Sequence, residues 1–96
     1  MRRLMVALIV LCLSGAAFAN ERFVCTQGDQ KRVIEVVYLS DGAVPCEVRY
    51  DKGMGSEVLW SAQNTEGYCE SHAKEFVEKQ EGWGYTCTRY QGDTME

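Results

Sequence analysis

Apolar and polar residues are arranged along this chain mostly in short runs with a period of two, and a single stretch shifts to helical spacing. Arg22-Phe23-Val24-Cys25-Thr26 is a short β-rich run, closed by the turn signal Gln27-Gly28-Asp29-Gln30. Lys31 to Leu39 follows, with Val33, Ile34, Val36, Val37 and Tyr38 giving it high strand propensity. Both of its faces are largely apolar, which predicts a central strand. Ser40-Asp41-Gly42 turns the chain. Pro45-Cys46-Glu47-Val48-Arg49-Tyr50 then alternates, Cys46, Val48 and Tyr50 on one side and Glu47 and Arg49 on the other. Pro45 is tolerable because it opens the strand. Asp51 to Gly55 reads as a loose hairpin loop with Met54 at its tip, and Glu57 to Ala62 as a fourth strand carrying Trp60.

The helical stretch begins near Gly67. Asn64 or Thr65 can cap it, and Glu66 suits the first turn, where the helix dipole favours an acid. Cys69, Ala73, Phe76 and Gln80 fall on one stripe, while Glu70–Lys74 and Glu75–Lys79 form i, i+4 pairs on the outer side. Gly82 is expected to end the helix in a left-handed conformation. Trp83 to Tyr90 reads as a last strand and Gln91 to Glu96 as a polar tail.

These elements predict an α+β domain, a four-stranded antiparallel meander followed by one helix and a fifth strand (β-β-β-β-α-β). The helix packs on one sheet face and the last strand lies beside the first. Such a crossover joins parallel strands and is expected to be right-handed. Strand directions then bring Cys69 near Cys46 and Cys87 beside Cys25, favouring Cys25–Cys87 and Cys46–Cys69. The pairing Cys25–Cys46 with Cys69–Cys87 stays open, because the last strand also returns toward the helix start.

The first residues change the setting. Met1-Arg2-Arg3 is a basic start, Leu4 to Leu13 is apolar, and Ala17-Phe18-Ala19 is a small-residue cleavage site, so residues 1–19 read as a signal peptide. The apolar run is shorter than the about 20 residues a spanning helix needs. A lipoprotein would use Cys12, but Leu11 precedes it where a small residue is expected. Cleavage leaves one domain, Asn20 to Glu96, expected in the periplasm or secreted, with no stable membrane insertion. Its eight basic residues stand against fourteen acidic ones, a formal charge of −6, which disfavours nucleic acid or an anionic membrane as partner. Four cysteines remain in this short exported chain, and they read as two disulfides.

No motif assigns an activity. His72 stands three residues after Cys69 without evident metal partners, and Glu70, Glu75, Glu78 and Glu81 alternate with Lys74 and Lys79 as a solvated helix face does. There is no C-x-x-C pair, no glycine-rich phosphate loop and no G-x-S-x-G elbow. No cofactor, metal or catalytic residue is expected. Two surfaces remain as candidates. One is the sheet face opposite the helix, with Glu35, Glu47 and Arg49 among Val33, Val37 and Leu39, more apolar than solvent exposure requires. The other is the loop bearing Met54, beside an edge strand with Trp60. Glu35, Arg49, Met54 and Trp60 are therefore the candidate interaction residues.

With Pro45-Cys46-Glu47-Val48-Arg49-Tyr50, Leu59-Trp60, Gly67-Tyr68-Cys69 and Gly82-Trp83-Gly84-Tyr85-Thr86-Cys87 in view, the chain resembles small exported disulfide-containing proteins of Gram-negative bacteria with no assigned function. That resemblance implies the periplasm and no activity. The periplasmic C-type lysozyme inhibitors carry a Ser-Gly-x-x-Tyr motif; here Gly55-Ser56 is reversed and no tyrosine follows at that spacing, so no inhibitory residue transfers. The expectation is a non-catalytic periplasmic binding or interaction protein, whose partner is a protein, an envelope component or a second copy in a homodimer. A narrower version is an inhibitor of an envelope-attacking enzyme; the competing readings are an enzyme with an unrecognised site and a protein that supports the envelope without a discrete ligand.

Overall fold

The structure is a computed structural model and describes residues 19–91. Residues 1–18, which include Cys12 and most of the expected signal peptide, and residues 92–96 lie outside the described residues. Five strands and one helix follow in the order β1 (Glu21–Gln27), β2 (Gln30–Tyr38), β3 (Cys46–Asp51), β4 (Ser56–Ala62), α1 (Tyr68–Gly82) and β5 (Thr86–Gln91). The strands form one sheet in the order β4-β3-β2-β1-β5, every neighbouring pair antiparallel. The α+β class, the meander and the place of the last strand are as the sequence pattern predicts. β5 reaches Gln91, however, and starts at Thr86 rather than at Trp83.

The core lies between the sheet and α1, which touches all five strands. Cys25, Ile34, Val36, Cys46, Val48 and Ala62 point from the sheet into it, and Cys69, Ala73 and Val77 meet them from the helix. Burying an Ile or Val side chain contributes about 2 kcal/mol, so a core this small needs its staples. Cys25–Cys87 joins β1 to β5 and Cys46–Cys69 joins β3 to the first turn of α1.

Both helix ends differ from the sequence expectation. The N-cap is Gly67, in the left-handed region at φ 84° with no side-chain cap bond, so neither Asn64 nor Thr65 caps. A glycine takes that conformation without the Cβ clash other residues meet. The disulfide to Cys69 anchors the end that lacks a polar cap. At the other end Gly82 is the last helical residue, and Gly84 carries the left-handed conformation at φ 103°. Tyr85 N–H donates to the Gln80 carbonyl at 3.1 Å and Gly84 N–H to the Glu81 carbonyl at 3.0 Å, the paired bonds of a Schellman motif with Gly84 as C′. A side chain at Gly84 would also collide with the Gln27 amide, whose Nε2 donates to the Trp83 carbonyl at 3.1 Å.

Two strand details also depart from simple alternation. Pro45 lies just before β3 rather than opening it, after a cis peptide bond, and its carbonyl accepts the Leu39 N–H at 3.0 Å. In β4, Val48 faces Trp60 and Arg49 faces Val58, so Leu59 is left without a cross-strand partner. This bulge reverses the facing of the two halves of β4.

Candidate functional site

Because α1 covers one side of the sheet, side-chain parity decides which residues lie on the other. Cys25 points into the core, so Arg22 and Val24 of β1 point away from it; Ile34 and Val36 point in, so Val33, Glu35 and Val37 point away. Glu47, Arg49 and Asp51 join them from β3, Val58 from β4 beyond the bulge, and Thr88 and Tyr90 from β5. Among the described residues no further element lies over this face.

The register orders these side chains into rows. Across one row the opposed residues are Tyr90, Arg22, Glu35, Arg49 and Val58, and across the next Thr88, Val24, Val33, Asp51 and Ser56. The first row therefore alternates cation, anion, cation on three adjacent strands, a cross-strand arrangement that favours pairing of opposite charges. Arg49 Nε also donates to Glu47 Oε1 at 2.8 Å, two residues along the same face. A partly exposed pair of this kind contributes about 0.5 kcal/mol. Two adjoining shallow hollows sit here. One of about 180 Å³ is lined by Arg22, Val33, Glu35, Arg49, Asp51 and Ser56, and one of about 280 Å³ by Arg22, Lys31, Val33, Asp51 and Gly53.

Of the residues singled out from sequence, Glu35 and Arg49 are direct cross-strand partners at the centre of this face. Met54 stands at the end of the β3–β4 loop, 91% exposed. Its loop is set by Gly53 and Gly55 at φ 106° and 101°, and Asp51 Oδ1 accepts the Gly53 N–H at 2.7 Å. Trp60 lies apart from these three. It points to the helix side, stacked on His72 at 4.8 Å and edge-on to Phe76 at 5.8 Å. His72 in turn lies 4.4 Å from the Tyr68 ring, so the histidine belongs to an aromatic cluster that seats the helix. The cysteines Cys25, Cys87, Cys46 and Cys69 are all taken up in the two disulfides. Arg22, Asp51 and Tyr90 were not singled out from sequence, although the inward direction of Cys25 is a signal sufficient to place Arg22.

A third hollow, of about 380 Å³, lies on the helix side between Glu21, Phe23, Glu70, Lys74 and Arg89. Arg89 pairs with Glu21 across its mouth. The Tyr38 hydroxyl donates to the Glu70 carboxylate. Burial, and then the bond to Glu70 and its charge, push the Tyr38 phenol well above its ordinary pKa. A phenol held so firmly protonated is a poor base or nucleophile at neutral pH. Among the described residues no group of three or more His, Cys, Asp or Glu side chains is placed to hold a metal ion, and no helix is long and apolar enough to cross a membrane.

Comparison with protein-family models, curated proteins and solved structures gave no match to this chain.

Proposed function

We propose that this is an exported, non-catalytic binding protein of the periplasm, which presents the helix-free face of its sheet to a protein or envelope component. The observation that carries the reading is the row Arg22, Glu35, Arg49 beside the half-buried Val33, with Val24 already covered by its neighbours. A two-layer domain needs only one face for its core. Valines and ordered charges on the second face are what a recognition surface requires: apolar area for affinity and fixed charge for selectivity. Two disulfides in a chain with a signal-like start support the extracytoplasmic setting.

A narrower version is an inhibitor of an envelope-attacking enzyme, favoured by one observation: the thioether of Met54 projects from a loop shaped by two left-handed glycines. The test separates the surfaces. A photo-crosslinking residue is placed at Val33, at Met54 or, as control, at Glu75 on the outer side of α1, and the envelope is irradiated. Adducts from Val33 and not from Glu75 are expected. Adducts from Met54 alone would select the inhibitor version, and none from either would overturn the binding reading.

A further inference from the structure

We propose that the helix-free face is covered by a second copy of this chain, packed sheet to sheet about a twofold axis running along the strands between β1 and β2. This rests on reading that face as a contact surface. Such an axis exchanges β1 with β2 and β5 with β3, so each row meets its own reverse. In the first row Arg22 falls on the second copy's Glu35, and Tyr90 on the second copy's Arg49. In the next row Val33 falls over Val24, whose side chain is already nearly covered in its own chain, and Thr88 on Asp51. All four kinds of contact are complementary: ion pair, cation over aromatic ring, apolar pair, and hydroxyl on carboxylate. The twofold makes each occur twice.

Other axes do not match the row order. An axis along β2 sets Glu35 against Glu35 and Arg22 against Arg49. An axis between β2 and β3 joins Glu35 to Arg49 but presses Val33 onto Asp51. An axis across the strands, between the two rows, leaves Arg22 on Val24 and Glu35 on Val33. Complementarity in both rows is met where Arg22 and Glu35 trade places.

The expected size is modest. Four overlapping strands about 4.8 Å apart, with β4 left outside the overlap, and rows extending over about 20 Å give about 400 Å² per partner. That lies below the size of stable specific interfaces and in the range of weak, transient ones, so the dimer is reversible rather than obligate.

Sedimentation velocity of the mature oxidised protein over a concentration series tests this. The wild type is expected to shift from monomer to dimer. Arg22→Glu and Glu35→Arg are each expected to weaken dimerisation by about tenfold or more, and combining them to restore it to within about threefold. Glu75→Arg on the outer side of α1 is the control and leaves it unchanged. Thermal melts check that each variant folds; should Arg22→Glu fail to fold, Val33→Glu takes its place as the disrupting change. A protein that stays monomeric at every concentration, or a dimer indifferent to both charge reversals, overturns the proposal. If the monomer still crosslinks from Val33 in the envelope, the contact surface stands and only the second copy is lost. With neither dimer nor adduct, both fall.

Discussion

Cys25 and Cys87 are directly opposed across the β1–β5 pair, with Cα atoms 4.0 Å apart. Their bond closes a loop of 62 residues between two strands that the ladder has already aligned. Cys46–Cys69 closes only 23 residues, but it ties the sheet to the helix. Loop-closure entropy assigns the longer link about 4.3 kcal/mol and the shorter about 3.4 kcal/mol. Urea unfolding of the two double alanine variants is therefore expected to show the greater loss for Cys25/Cys87. The reverse order would mean that docking of α1, rather than restriction of the unfolded chain, dominates.

Gln80 is fully buried, and its Nε2 donates to the Tyr50 hydroxyl at 2.9 Å while its Oε1 has no partner. A buried acceptor left unpaired costs about 1–3 kcal/mol. Gln80→Met removes that liability but strands the Tyr50 hydroxyl. The pair Gln80→Met with Tyr50→Phe removes both polar ends and keeps the Tyr50–Phe76 ring contact at 4.8 Å. The double variant is expected to be at least as stable as the single Gln80→Met. A double-mutant cycle by thermal melting measures it, and additive losses would contradict it.

The meander is legible in the chain because its signals are local: alternation in Cys46–Tyr50 sets the facing of β3, and turn residues separate the strands. The pairing Cys25–Cys87 and Cys46–Cys69 follows from the order and directions of the strands. The helix ends were less legible. Gly67 and Gly84 act through backbone conformation, where Asn64, Thr65 and Gly82 offered stronger side-chain or positional signals. Trp60 faces the helix for a related reason: the bulge at Leu59 breaks parity, and no local pattern in Glu57 to Ala62 marks it. Glu35 and Arg49 lie opposite each other on the helix-free face because strand parity puts them there. Arg22 lies in a shorter run whose parity is fixed only once Cys25 is known to face inward.

Tyr38 makes stability depend on alkaline pH. Its phenol is raised by burial and by the neighbouring Glu70, so the folded chain keeps a proton that the unfolded chain releases above about pH 10. The contribution is complete below the unfolded pKa and declines as pH rises through the window between the unfolded and folded values. Denaturant melts from pH 9 upward, at about half-unit steps, are expected to show a steeper decline for the wild type than for Tyr38→Phe. Equal slopes would place the coupling elsewhere.

Whether the helix-free face is occupied where the protein works is most directly measured by carbodiimide footprinting of carboxylates in the intact envelope and in dilute purified protein. Glu35 and Asp51 are expected to be labelled less in the envelope, with Glu75 and Glu78 labelled alike in both. Equal labelling of all four in the two settings would show the face open to solvent and contradict the account.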